Sequence, residues 1–477
     1  MKLKTSAFVR FNSYVIGTGF TVANILIITS NLDLFQFAVW GVANSLIYIF
    51  SQIGQLTYVQ YIEKYFPNLS QSKMNYHLFK FFKTVIVITP LWYVVLLIMD
   101  ALGYFEKYNA DNLFILFMII SFSSVVESLV EIISKYFLSI KHSVKFDLNE
   151  LLIFKIFRFA VFYLLLTNGF GIYQILLSNF LIRSTFLIRL FLYLDKNLYS
   201  VFKKILFSKI RTKNLLNLKY TFSAFIIKTQ LVTLLNSLFF IHTIFADNIT
   251  IANYSLGILI INNLRPIFSS LSALLFPIIS QDIKNKQDNN IMFSLVTRIN
   301  TLLIGVILLI SYFVSKYKFI LDIFLKDFDS EIYGIILFSV FCSSISTLYL
   351  PQYFDRLFSD NENNLLLFIT LNYFINLSLY LFSTKFEVLN FLIFYLLFEF
   401  CNLLYFYFNF YSNNKLNLFK NFSVSYLIVS CYILINIYEK FNINYLYAVV
   451  IVFFAFLLFD SKKTFEKYRI YKEIYNA

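Results

Sequence analysis

The chain is a succession of about fourteen long apolar runs joined by short polar connectors. A helix needs about 20 apolar residues to cross the hydrocarbon of a bilayer. Runs of that length and number use up most of the 477 residues and leave no room for a soluble catalytic domain. Whatever the protein does, it does at membrane depth. The runs are too long for barrel strands, which show alternating segments of about ten residues. Helices satisfy their own backbone polar groups, as hydrocarbon requires. The expectation is therefore an all-α polytopic membrane protein. Its spans are expected at 7–31, 35–61, 80–102, 112–138, 147–167, 172–193, 219–246, 250–281, 292–315, 331–354, 363–383, 388–411, 420–438 and 443–460. The first run is too long for a signal peptide and lacks a small-residue cleavage site, so it reads as a retained span.

The apolar fraction of 59% and the mean hydropathy of +0.72 fit this class. Soluble domains lie near 45–50% apolar. The net charge of +14 is no nucleic-acid footprint in such a chain. Lys and Arg collect on alternate connectors. With the N-terminus inside, 29 of them fall on cytoplasmic segments and the adjoining span ends, Lys155 and Arg158 included, and 6 on outer segments. By the positive-inside rule this puts both termini in the cytoplasm. The heavy use of Phe, Tyr, Ile, Asn and Lys resembles AT-rich coding and points to a bacterial cytoplasmic membrane.

The longest connector, 194–218, is basic. Val201, Phe202, Ile205, Leu206 and Ile210 alternate there with Lys203, Lys204, Lys209, Arg211 and Lys213. That pattern suits either a helix on the inner leaflet or an ordinary basic loop. It divides the chain into a lobe at 1–193, the linker at 194–218, a second lobe at 219–411, and two further spans with a basic tail at 412–477. A short repeat supports the division. Phe66-Pro67-Asn68-Leu69-Ser70 ends span two, and Phe276-Pro277-Ile278-Ile279-Ser280 ends span eight, 210 residues later. Both pairs of spans have the same direction. Parallel repeats of this kind place a binding site between two halves near the midplane.

Six spans, six spans and two, a basic connector after the sixth, and Phe-Pro at the ends of spans two and eight resemble the polysaccharide-exporter superfamily. Asp33-Leu34-Phe35-Gln36-Phe37, then Trp40-Gly41, then Tyr65-Phe66-Pro67 fit the same pattern. Within it, the chain looks most like the Wzx-type oligosaccharide or O-antigen flippases. The resemblance implies two six-helix lobes facing each other across a central cavity. It also implies movement of a polyprenyl-pyrophosphate-linked oligosaccharide, for O-antigen, capsule or a similar glycan, from the inner to the outer leaflet. Membrane lipids, a glycan polymerase and chain-length machinery are the implied partners.

Charges within spans usually face a cavity. The basic candidates are Lys155, Arg158, Arg183, Lys228 and Arg265, and the acidic ones Glu127, Glu131 and Glu399. An excess of cations suits a pyrophosphate, and the Arg fork suits it best. Arg265, Lys228, Arg183 and Arg158 are the expected substrate-binding residues. Arg265 sits near mid-depth between Asn262-Asn263 and Pro266, so Pro266 and Pro277 are the expected hinges. Arg265 could instead pair with Glu399 or Glu127, and Arg183 with a span-four acid. Lys228 and Lys155 could snorkel to the inner interface. Glu127, Glu131 and Lys135 share one helix face, as a packing ladder or as a proton relay.

No enzyme motif stands out. None of the ten glycines precedes a Lys, so there is no P-loop. Cys342, Cys401 and Cys431 have no metal-ligand spacing, and His77, His142 and His242 lie far apart. No metal or cofactor is expected, and the chain is not expected to be an enzyme. The competing readings are a lipid II flippase and a multidrug or cation antiporter of the same superfamily, then a membrane oligosaccharide polymerase. Residues 5–32 lack the acid with which the multidrug branch often couples.

Overall fold

The computed structural model describes residues 3–55, 58–106, 112–139, 152–195, 197–208, 247–264 and 362–382, with scattered residues at 223–244, 335–343 and 394–405. All described elements are helices. They are α1 (Leu3–Asn31), α2 (Leu34–Gly54), α3 (Tyr58–Tyr65), α4 (Gln71–Ala101), α5 (Leu113–Ser139), α6 (Phe154–Thr167), α7 (Ile172–Leu194), α8 (Leu198–Phe207), α9 (248–264) and α10 (Glu362–Phe382). Five of them, α2, α4, α5, α7 and α10, are long and apolar enough to cross a membrane. This is a multi-pass membrane protein.

Local chemistry sets the helix ends. The Asp33 carboxylate caps α2 by accepting from the Gln36 N–H at 2.7 Å. At the C-termini of α4 and α6 the chain needs a left-handed residue, and Gly103 (φ 78°) and Gly169 (φ 77°) supply it. There the Tyr104 N–H reaches the Met99 carbonyl at 3.1 Å, and the Phe170 N–H reaches Leu165 at 3.1 Å. Inside α4, Pro90 has no N–H to offer the Ile86 carbonyl. The Thr89 hydroxyl donates to that carbonyl instead, at 2.7 Å. The freed acceptor is thus satisfied without water, as a span requires.

Two expected boundaries move. The run read as one span over 35–61 is two helices, α2 and α3, and a 3-10 turn at Phe66–Asn68 follows. Span three extends nine residues further toward its start, because α4 begins at Gln71.

The first bundle is built around α5, which packs against α2, α3, α4 and α7, while α1 packs along α6. Small residues let α2 and α5 approach closely. The Ser128 hydroxyl donates to the Ser51 carbonyl at 2.9 Å, and Gly54 sits against the same serine. Phe66 of the Phe-Pro motif is fully buried beside Phe81 and Tyr136, where it fastens the turn after α3 to α4 and α5. Its counterpart Phe276-Pro277 lies outside the described residues, as do residues 412–477.

Part of the basic linker is a helix. Asn197 caps α8 by accepting from the Tyr199 and Ser200 N–H groups. Val201 and Ile205 are buried, while Phe202, Leu206 and Phe207 are exposed. The Lys83 ammonium donates to the carbonyls of Leu206 and Ser208 at 2.7 and 2.9 Å, which ties the end of α8 to α4.

The described parts of the second lobe also pack together. Gln230 accepts from Thr370, Asn372 of α10 donates to Asn402 at 2.9 Å, and Gly257 of α9 sits against Ser339.

Candidate functional site: a polar cavity between the lobes

A cavity of about 180 Å3 lies where α1, α2, α6 and α7 of the first lobe meet α9 and Asn236 of the second. Helical periodicity builds it. α1 contributes Thr21, Asn24, Ile25 and Ile28, and α2 contributes Trp40, Gly41, Asn44, Ser45 and Tyr48. α9 contributes Ser255, Ile258, Leu259, Asn262 and Asn263. In each helix the spacing is three or four residues, so one polar stripe faces inward from an otherwise apolar element. Arg158 and Phe162 from α6 and Asn179 from α7 complete the lining. Among the described lining residues Arg158 carries the only formal charge, and none is acidic.

The polar side chains fall into two groups. Several bond to their own helix: Thr21 to Gly17, Asn44 to Trp40, Ser255 to Ile251 and Asn263 to Leu259, at 2.7–2.9 Å. Others do not. Both carboxamide atoms of Asn24 and of Asn236, and the Oδ1 of Asn179, meet no hydrogen-bond partner among the described residues. Asn24 and Asn236 are almost wholly buried, at 2% and 0% exposure. A buried amide without partners costs free energy, and a water or a ligand in the cavity would offset that cost.

The expected site residues are separated. Arg158 lines the cavity, with its guanidinium 5.6 Å from the Phe154 ring centre and 5.9 Å from that of Phe162. Arg183 is not among the lining residues. It donates to Glu127 at 2.7 Å, and its guanidinium lies 4.7 Å from the Phe154 ring centre. Arg265, Lys228, Pro266 and Pro277 lie outside the described residues. The Glu127, Glu131 and Lys135 face of α5 is a packing ladder in this structure. Glu127 holds Arg183 of α7, Glu131 accepts from Gln52 and Gln55 at 3.1 and 2.7 Å, and Lys135 pairs with Glu63 of α3 at 2.6 Å. Glu399 is buried and accepts from the Tyr395 hydroxyl at 2.7 Å.

The amides of Asn24, Asn44, Asn179 and Asn236 were missed by reasoning from charge. Their signal in the sequence is an Asn set at helical spacing among small and aromatic residues inside an apolar run.

The lobes touch beside the cavity, at the end of the bundle that carries residues 32–33, 102–106 and 247. A Cβ on Gly41 of α2 would lie 1.9 Å from Ser255 Oγ of α9. Only glycine permits that approach. Nearer the same end, the Tyr104 hydroxyl hydrogen-bonds the Thr243 hydroxyl across the lobes. Behind Thr243, the His242 ring lies 3.8 Å from that of Tyr254 and shares a 2.7 Å hydrogen bond with the Tyr380 hydroxyl.

The helical arrangement matches solved structures. A eukaryotic MATE transporter, AtDTX14, superposes with a TM-score of 0.53 at 12% identity, covering 89% of this chain and 99% of that one. The chain has the MATE fold. A MATE protein solved in complex with MaD3S gives 0.50 at 10% identity, covering 91% and 97%. A chain named "protein A" gives 0.61 at 11% identity, covering 87% and 95%. No protein-family model and no curated sequence matches. At these identities the likeness shows the fold alone and says nothing of the cargo.

Proposed function

We propose that the protein is a non-enzymatic flippase that moves a polyprenyl-pyrophosphate-linked oligosaccharide across the bacterial cytoplasmic membrane. The observation that carries this reading is the composition of the junction cavity, which has one guanidinium, a set of neutral carboxamides and, among the described residues, no acid. A transporter of cationic drugs needs negative charge in its lining. An uncharged glycan on an anionic head needs hydroxyl-binding groups and positive charge. The MATE fold supplies the lobes between which such cargo would pass. With the N-terminus inside, as the Lys and Arg bias requires, the Gly41–Ser255 contact closes the outer side and the cavity loads from the cytoplasm.

In this reading Arg158, with Arg265 and Lys228, draws the pyrophosphate inward, and rocking of the lobes exposes it outside. Polymerase and chain-length machinery then consume the product. The test is a vesicle assay with a radiolabelled sugar-lipid and the purified protein. Flipping changes leaflet accessibility and leaves product length unchanged. A lengthened product identifies a polymerase, and uptake of a lipophilic cation with no change in sugar-lipid accessibility identifies a drug transporter.

A further inference from the structure

We propose that the carboxamides of Asn24, Asn179 and Asn236 make the junction cavity a subsite for a single uncharged sugar unit, separate from the final seat of the pyrophosphate that Arg158 helps to attract. The inference rests on the lipid-linked-oligosaccharide reading and assigns one part of that cargo to one place.

The argument begins with the unpartnered amides. Asn24 and Asn236 each present two donors and an acceptor with no partner among the described residues, and Asn179 adds an acceptor. The Nδ2 groups of their neighbours Asn44 and Asn263 donate to carbonyls of their own helices. The difference marks these three side chains as the ones that need something from the cavity. The ligand must accept from Nδ2 and donate to Oδ1 at the same wall. Phosphate oxygens only accept, and three carboxamide oxygens would repel them. A cation would satisfy the oxygens, leave the Nδ2 groups unmet and face Arg158. A hydroxyl both donates and accepts, and a ring bearing several meets every group. Trp40 and Tyr48 supply apolar surface for the C–H face of such a ring. The volume, about 180 Å3, falls below the several hundred Å3 of drug-sized pockets, which fits one sugar unit and not a chain. Because Asn24 and Asn179 belong to the first lobe and Asn236 to the second, a bound sugar bridges the two.

The sequence contains two tryptophans, Trp40 and Trp92, and Trp40 lines the cavity. In the full-length Trp92→Phe protein, Trp40 emission reports the site. The protein is titrated with a panel of neutral hexoses and N-acetylhexosamines, with inorganic pyrophosphate, and with tetraphenylphosphonium. The expected result is a saturable response to at least one neutral sugar at millimolar concentration. Asn24→Leu and Asn236→Leu should each weaken it by about three- to tenfold, the effect of one neutral hydrogen bond. Their melting temperatures should be unchanged or raised, because a buried group without a partner has been removed. A lowered melting temperature with unchanged sugar binding makes the amides structural and overturns the proposal. So does the absence of any sugar response, or an Asn-dependent response to pyrophosphate. In those cases the flippase reading stands if the sugar-lipid vesicle assay still shows flipping. Binding of tetraphenylphosphonium alone, with no flipping, sinks both.

Discussion

Gly41→Ala is the sharpest single perturbation this structure offers. The added methyl would sit 1.9 Å from Ser255 Oγ and 2.4 Å from Ser255 Cβ, where ordinary contacts begin at 3.4 Å. Neither atom belongs to a long, flexible side chain, and the Ser255 hydroxyl is fixed to the Ile251 carbonyl at 2.8 Å. The two helices must therefore separate. Forcing an extra carbon into a packed contact costs about 1–3 kcal/mol, and here the cost falls only on the state in which the lobes touch. The lobe equilibrium should shift toward separation by about five- to 150-fold. Spin labels at Leu102 and Ile249, which are 80% and 47% exposed at the same end of the bundle, read the gap after Cys342, Cys401 and Cys431 are replaced by Ser. The Gly41→Ala protein should move from a short to a longer distance population. Gly41→Ala combined with Ser255→Gly should restore it, because the next atom facing the methyl is Ser255 Cα at 3.5 Å. An unchanged distance distribution in Gly41→Ala would refute the reasoning, since the contact would then not govern the approach of the lobes.

Arg183→Met should lower stability by about 2–3 kcal/mol, somewhat below the ~3–5 kcal/mol for breaking a fully buried pair because Glu127 keeps 31% exposure. Pairing it with Glu127→Met should recover most of the loss in a thermal melt. The Asp195 carboxyl is held down to about 2 from 3.8, first by the hydrogen bond from Lys204, then by the Asn197 N–H and the Ser200 hydroxyl. Its folded pKa lies below its unfolded one, so its hold on α8 is complete above about pH 4 and lost as pH falls toward 2. Proteolysis near Ser208 should follow that window, and Asp195→Asn should abolish the dependence. Lys83→Met removes the donor to both carbonyls at the end of α8 and should speed cleavage at the same place severalfold without moving the melt of the whole protein. Glu131→Ala leaves the Gln52 and Gln55 amides without their shared acceptor and should cost about 1–3 kcal/mol.

Run length makes the spans legible, because hydrocarbon thickness leaves few alternatives to a helix of about 20 residues. It could not show the division between α2 and α3, since the apolar character continues through Tyr58, Val59, Tyr61 and Ile62. There the three-dimensional packing decides. Gln52 and Gln55 turn their amides to Glu131 of α5, while Tyr58 stacks on Phe81 of α4 with ring centres 4.1 Å apart. α4 begins nine residues before the apolar run at 80–102 for a related reason. Hydropathy falls at Gln71, Ser72 and Lys73, but helical hydrogen bonding does not. Intramembrane charge pointed to Arg158, Arg183 and Glu127 together. Only contacts across helices separate the guanidinium at the cavity from the one closed by a carboxylate.

That separation bears on how such a site would release its cargo. An ion pair at membrane depth is strong in a medium of low dielectric constant, and a carrier that grips only through such pairs holds what it must let go. Neutral hydrogen bonds contribute about 0.5–1.5 kcal/mol each. At about 1 kcal/mol each, two or three of them across Asn24, Asn179 and Asn236 would bias lobe closure by about 30- to 150-fold. They are lost one at a time as the lobes part. A ligand shifts a conformational equilibrium only by its difference in affinity for the two states. A subsite whose groups come from both lobes has that difference built into its geometry, and the sugar it holds would then act on the same helix contact that Gly41 and Ser255 make.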